Sequence, residues 1–250
     1  ESMETTECII IHTGQKSAEE NMRFDAELLE NAKDFFNPVL HFYEWKSPSA
    51  TYGYFANPAA LLFLDQIGPL ELAKRPTGGG VIFHNWDFAF SILVPTSSAL
   101  YSVNTLNNYA LINAVVLSSI ESFLGNSTSF YLTPQDGASL VKDCKHFCMA
   151  KPTQYDVMLK NKKIAGAAQR KAKNGFLHQG SICLQLPDHN YLTQIIRSRE
   201  VIESMYAHTL PLLGDGFVPK SQIETAKIRL QTLLVCDLNR ICLRYSQANC

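Results

Sequence analysis

The chain has no segment long and apolar enough to suggest a membrane span. Its longest apolar runs, Val81 to Phe83 and Phe88 to Val94, fall far short of the roughly 20 residues a spanning helix needs. A one-sided charge is also missing: 22 Lys plus Arg stand against 23 Asp plus Glu, a formal charge of -1, so no global basic field invites nucleic acid. The seven cysteines, Cys8, Cys144, Cys148, Cys183, Cys236, Cys242 and Cys250, form no regular framework, and no leader with a charged start and apolar middle is seen. Reduced thiols and a cytoplasmic setting are the expectation. There is no internal repeat and no low-complexity tract. These absences point to a small molecule or a protein as the ligand.

What is present suffices for one substantial core, because 46% of the 250 residues are hydrophobic. Glu1 and Ser2 precede Met3, the expected natural start, so a single domain over 3–250 is expected, with closing helices from about 191 and no separate accessory domain. Cys8 to His12 reads as a strand. Ser17, with Glu20 three residues on, forms a capping box that opens a helix whose Met22, Ala26, Leu29 and Lys33 share a face. Asp25 beside that face reads as a buried carboxylate accepting backbone hydrogen bonds. Strand character follows at 39–45, 50–55, 80–84 and 88–94, punctuated by Pro48, Pro58, Pro69 and the glycine run. From Asn104 to Leu124, Leu106, Tyr109, Asn113, Val116, Ile120 and Phe123 recur at helical spacing until Gly125 closes the helix. Strands return at 129–132, 155–159, 163–168 and 182–186, and the tail reads as helical. The pattern predicts an α+β fold, a central sheet flanked by helices.

Two stretches carry chemistry. In Lys74-Arg75-Pro76-Thr77-Gly78-Gly79-Gly80, three consecutive glycines let backbone approach a ligand closely, and a strand follows directly. A helix does not follow and no Gly-Lys-Ser/Thr or spaced dinucleotide fingerprint is present, which excludes the P-loop and Rossmann readings. The second stretch, YDVMLKNKKIAGAAQ from Tyr155, places Lys163 before the small residues Ala165, Gly166, Ala167 and Ala168, which leave room for a ligand.

Together with NMRFDAELLENA, HFYEWKSPSATYGYF, KRPTGGGVIFHNWDFAFSILV and YDVMLKNKKIAGAAQRKAKNGFLHQGSICL, in this order over about two thirds of the chain, the sequence resembles the lipoate-protein ligases and octanoyltransferases. That family shares its catalytic fold with the biotin-protein ligases, but RPTGGGVIFH lacks the arginine-rich glycine loop and following tryptophan of the biotin enzymes. The resemblance implies a mainly antiparallel mixed sheet, and transfer of an octanoyl or lipoyl group to a lysine of a lipoyl domain, in 2-oxoacid dehydrogenases or the glycine cleavage H protein. It also implies that Trp45, Gly53, Arg75, Gly78, Gly79, Gly80 and His84 line the acyl pocket beside Gly166 and Ala167, and that Lys163 is the central lysine.

Cys148 separates the two mechanisms in this family. It stands four residues before Pro152 and seven before Tyr155, the spacing of the nucleophile in the cysteine-type octanoyltransferases and lipoyl amidotransferases. The transferase reading takes its acyl group from a donor such as acyl carrier protein, forms a Cys148 thioester and needs no cofactor. The ligase alternative activates lipoate with ATP and Mg, and a non-catalytic acyl-binding relative is a third reading. A reactive thiol needs a cation nearby, and Lys163, Lys145, His146 and Lys151 are the candidates. The short run HNWDFAFS after the glycine loop also fits the transferases. Three departures stand out: Gly80 where the cysteine-type enzyme carries arginine, Asn85 where aspartate is usual, and Gln179 where histidine is common. Cys144, His146 and Cys148 form no expected metal site, since a second pair of ligands is lacking. Cys183, Cys236 and Cys242 read as packing residues and Cys250 as a loose end.

Overall fold

The computed structural model describes residues 7–125, 129–136 and 142–248. Its centre is a seven-stranded mixed sheet in the order β1-β2-β6-β10-β9-β8-β7, formed by β1 (Ile9–Lys16), β2 (Val39–Trp45), β6 (Asp87–Pro95), β7 (Phe130–Leu132), β8 (Val157–Leu159), β9 (Lys162–Ala172) and β10 (Gly175–Cys183). Within this sheet, among the described residues, only β1 and β2 pair in parallel. A smaller sheet, β4-β3-β5, joins β3 (Ser49–Tyr52), β4 (Glu71–Lys74) and β5 (Ile82–Phe83).

Local chemistry sets the helix ends. In α1 (Ala18–Glu30) the Ser17 side chain accepts from the Glu20 amide while the Glu20 carboxylate accepts from the Ser17 amide, as the capping box requires. The helix stops at Asn31, so Lys33 falls in an exposed 3-10 turn beyond it and shares no face with Met22 and Leu29. After the single turn α2 (Pro58–Leu61), α3 (Thr105–Leu124) starts at the Asn104 cap and ends at Gly125, whose φ of 70° suits glycine. Asn113, Val116 and Ile120 face the core as expected, whereas Leu106 is 48% exposed. The tail folds into α4 (His189–Ile195), α5 (Arg199–His208) and α6 (Lys220–Ala248).

Strand alternation gives the large sheet two different faces. Leu40, Phe42, Phe88, Phe90, Ile92, Phe176 and Ile182 point one way and pack against Ile112, Val116 and Ile120 of α3 and Leu230, Leu234 and Leu238 of α6. On the opposite face, Val39, Leu93 and Leu177 meet Leu28 and Leu29 of α1. Farther along that face the side chains become polar or small: His41, Ser91, Gln179, Asp87, Ser181 and, across β9, Gly166. The site lies there. One expected strand is displaced: pairing with both β6 and β9 places β10 at Gly175–Cys183, not 182–186. Among the described residues, no helix is long and apolar enough to cross a membrane.

Candidate active site

A cavity of about 440 Å³ opens over the polar face, lined by Gly78, Gly79, Gly80, Cys148, Lys163, Gly166 and Ala167 among others. The two separated stretches of sequence therefore meet here. Gly53 explains how the glycine loop is seated, since a Cβ there would stand 1.9 Å from the Gly79 carbonyl oxygen. Gly80 is equally closed, with the His146 carbonyl oxygen 2.2 Å from where a Cβ would be, so no side chain fits in this packing. Gly79 has φ +88°, and its open side faces the Cys148 Sγ, 3.7 Å from an ideal Cβ.

Cys148 is carried to this point by pairing with the strand that follows the loop. The Val81 amide donates to the His146 carbonyl at 2.7 Å, and the Cys148 amide donates to the Val81 carbonyl at 3.2 Å. Val81 and Phe147 form a parallel bridge, with Phe147 and Cys144 buried in an apolar cluster with Ala50, Phe83 and Met205. Cys144 is thus a packing residue.

Lys163, on β9, is buried. Its Nζ donates to the Cys148 carbonyl at 2.8 Å and lies 2.9 Å from the Asp156 carboxylate. Burial raises the Asp156 pKa, opposed by Lys163 and by donors from Thr153. Gly166 makes room for the pair: a Cβ there would come within 2.5 Å of Lys163 Nζ and 2.7 Å of Asp156 Oδ1. Asp156 was not singled out from sequence, although its position beside Tyr155 and the need of a buried lysine for a carboxylate could have suggested it.

Arg75, a cation not among the expected candidates, is in electrostatic and hydrogen-bonding contact with the Cys148 side chain. Burial lowers the Arg75 pKa, while Cys148 and Tyr43 oppose the shift. Arg75 also braces the glycine loop, donating from Nη2 to the carbonyls of Gly78 at 2.8 Å and Gly80 at 2.6 Å. Lys145 and Lys151 stand on the cavity wall.

Trp45, Gly53, Arg75 and His84 are not among the residues that line this cavity. They build the support behind it. Arg75 Nη1 donates to Thr51 Oγ1 at 2.9 Å, which directs the Thr51 hydroxyl proton to His84 Nε2 at 2.8 Å. His84 Nδ1–H then faces Asp87 Oδ2 at 2.9 Å, and Ser181 donates to the same oxygen at 2.6 Å. The Trp45 indole stacks on His84 with centroids 4.2 Å apart. Asp87 and Ser181 reach the cavity wall.

A second buried chain approaches the loop from the other side. The Asp25 carboxylate takes hydrogen bonds from His41 Nδ1 at 2.8 Å, Ser91 Oγ at 2.5 Å and Gln179 Nε2 at 2.7 Å. Its partners are side chains, not the backbone groups expected. With the Gln179 amide nitrogen committed to Asp25, its oxygen accepts from Thr77 Oγ1 at 2.6 Å, one residue before Gly78. Gln179 thus ties the loop to the sheet.

Burial pushes Cys8 up to about 11 and Cys242 up to about 12, and raises Cys183 further still although it reaches the cavity. Cys236 is exposed on α6, not packed as expected, and Cys250 lies outside the described residues.

The octanoyltransferase LipM of Lysinibacillus sphaericus is 28% identical to this chain over 206 residues, covering 80% of the chain and 74% of that protein. LipM of Staphylococcus aureus is 29% identical over 177 residues, covering 69% of the chain and 64% of that protein. Among solved structures, a lipoate-protein ligase A bound with ATP superposes with a TM-score of 0.63 at 20% identity, over 96% of this chain and 95% of that one. The bi-partite lipoate protein ligase of Thermoplasma acidophilum gives 0.60 at 19% identity, over 96% and 93%. These two share the fold. Residues 17–209 match the lipoyl protein ligase A/B catalytic domain, and the chain belongs to that family.

Proposed function

We propose that this protein is an octanoyl or lipoyl transferase that carries the acyl group on Cys148 and delivers it to a lysine of a lipoyl domain. The observation that supports it is the placement of Cys148 on the cavity wall, its sulfur facing Gly79 and its side chain in contact with the Arg75 guanidinium. Relatives bearing the octanoyltransferase name favour transfer over ligation.

In the first half-reaction the Cys148 sulfur attacks the carbonyl carbon of a thioester donor, such as one on acyl carrier protein. A new C–S bond forms, the donor's C–S bond breaks, and the donor sulfur leaves with the proton that Cys148 gave up. In the second, the neutral amine of the acceptor lysine attacks the Cys148 thioester; the amide C–N bond forms and the thiol is regenerated. Arg75 supplies fixed positive charge where the sulfur is anionic during attack and departure. Lys163, already desolvated beside the Cys148 carbonyl, is placed to hold the carbonyl oxygen as charge develops on it. Gly78 to Gly80 allow the acyl chain to lie against the backbone, and Gly166 and Ala167 keep the opposite wall low. This route needs no cofactor.

Cys148→Ala should abolish transfer from an acyl carrier donor, and wild type should gain a hydroxylamine-sensitive acyl adduct on Cys148 by intact mass. Full activity of Cys148→Ala with lipoate, ATP and Mg would instead establish the ligase, acting through lipoyl-AMP. Lys163→Ala should also lose transfer; because it strands the buried Asp156, its folding must be checked by circular dichroism.

A further inference from the structure

One polar group on the cavity wall has no part in the chemistry so far, the hydroxyl of Tyr109. Tyr109 and Leu106 stand where the start of α3 borders the cavity that holds Cys148 and Lys163. The Tyr109 oxygen accepts from the Gln169 amide at 2.7 Å. Among the described residues β8 pairs with β9 only as far as Ala165, so no strand takes that amide and the phenol serves it instead. With this lone pair engaged the hydroxyl proton is directed elsewhere, and among the described residues no protein atom accepts it. The side chain is held in place from the preceding residue. Buried Asn108 accepts from the Ser102 amide and donates to the Ser102 carbonyl, each at 2.9 Å, which locks the first turn of α3 onto the segment before it. The reacting sulfur is within electrostatic reach. Ala168, which precedes Gln169, has its Cβ 3.9 Å from an ideal Gly79 Cβ, against 3.7 Å for Cys148 Sγ, and Cys148 and Arg75 both act on the Tyr109 hydroxyl. Burial raises the Tyr109 pKa, helped by Asp156 and Cys148 and opposed by the Gln169 amide and Arg75, so the phenol keeps its proton at neutral pH.

We propose that Tyr109 is a catalytic residue that donates its hydroxyl hydrogen bond to the carbonyl oxygen of the acyl group while that oxygen is anionic, completing a pair of donors with Lys163. The inference rests on the transferase reading and adds a residue to it. Lys163 alone has few protons to spare, because it already donates to the Cys148 carbonyl and pairs with Asp156. As the Cys148 sulfur attacks, a C–S bond forms and the carbonyl π pair moves onto oxygen; when the pair returns, the donor's C–S bond breaks. The same oxygen gains and loses charge again when the acceptor amine attacks the Cys148 thioester, so one fixed donor serves both half-reactions. Tyr109 keeps its own proton throughout. The hydrogen bond it accepts from the Gln169 amide polarises its O–H and strengthens it as a donor. A tyrosine that only satisfied a strand-edge amide would need its oxygen and not its proton.

The test follows single-turnover acylation of Cys148 from an octanoyl thioester on acyl carrier protein, read by intact mass. The proteins are wild type, Tyr109→Phe and a variant with a ring-fluorinated tyrosine at position 109. Tyr109→Phe should lower the maximal rate roughly 100-fold per folded molecule with the KM little changed, and should slow transfer from acyl-Cys148 to a lipoyl domain similarly. In acyl-enzyme made with carbonyl-labelled octanoate, the infrared carbonyl stretch should rise in Tyr109→Phe and fall with the fluorinated, more acidic phenol. The fluorinated protein keeps the ring and the oxygen that Gln169 needs, so it answers even where Tyr109→Phe folds poorly. An unchanged rate with a lowered urea midpoint would reduce Tyr109 to a cap on Gln169 and overturn the proposal. A raised KM with an intact maximal rate would overturn it too, in favour of ground-state binding. So would an unmoved carbonyl stretch, and a shifted pH profile for Cys148 alkylation would then assign the hydroxyl to the sulfur. If wild type gains no acyl group on Cys148, the transferase reading itself fails and the proposal with it, a result distinct from all of these.

Discussion

The two faces of β6 and β10 solve different problems with neighbouring residues. On one, Phe88, Phe90 and Ile92 meet the apolar sides of α3 and α6, and shape and apolar area do the stabilising. On the other, one residue away, Asp87, Ser91 and Gln179 are buried and, with half-buried Ser181, form hydrogen-bond chains that lead to the glycine loop and its arginine. The difference shows where each kind of damage should register. The apolar face should answer in stability alone, the polar face in stability and activity together.

The comparison is broken most severely by Phe90→Ala. Phe90 is fully buried and its ring fills the space a Cβ on Gly180 would need, 2.3 Å from the Phe90 Cζ. Truncation should cost about 3–5 kcal/mol, read as a lowered urea midpoint, with residual folded protein keeping its transfer rate.

Acid should strain the same face through His178, which accepts from Gln169 Nε2 at 2.7 Å and whose pKa burial lowers to about 3. The unfolded imidazole takes its proton near pH 6.5, the folded one only near 3, so the stabilisation is complete above about 6.5 and is lost as pH falls between them. At pH 4.5 the loss should be about 2–3 kcal/mol relative to pH 7. Urea midpoints across pH should show this slope in wild type and a shallower one in His178→Gln.

Asp25→Asn tests the polar face. Removing the charge leaves His41, Ser91 and Gln179 competing for one acceptor oxygen, which should cost about 1–3 kcal/mol. Because Gln179 holds Thr77, transfer should slow beyond what the folded fraction explains, and Thr77→Val should reproduce that slowing while Thr77→Ser does not. A normal rate in folded Asp25→Asn would erase the contrast between the faces. The smallest effect is expected at an exposed position of α6: Cys236→Ser should change the stability obtained from urea unfolding by less than about 0.5 kcal/mol and leave acylation unchanged.

What could be read from sequence follows from how local each feature is. Ser17, Asn104 and Gly125 mark helix ends because a cap is a contact within a few residues. The strand β10 starts well before 182 because His178, Gln179 and Gly180 carry little strand signal of their own, and only pairing with β6 and β9 on both sides makes them a buried strand. Glu71–Lys74, as Glu-Leu-Ala-Lys, carries no strand signal and becomes β4 through a parallel pairing with β3. In the site, Cys148, Lys163 and the glycines could be named from motif and spacing. The contact of Arg75 with Cys148, across 73 positions of chain, and the Asp156 partner of Lys163 belong to the packed structure.

The short pairing of Val81 with the segment 146–148 has a consequence for motion. Because Val81 donates to His146 and accepts from Cys148, the peptide that presents the nucleophile and the end of the glycine loop share one pair of hydrogen bonds. Neither can swing away without breaking the other's backbone contacts, so the two should behave as a single opening unit. Amide hydrogen exchange would report it directly: the Val81 and Cys148 amides should exchange at matching rates, and a ligand that slows one should slow the other equally.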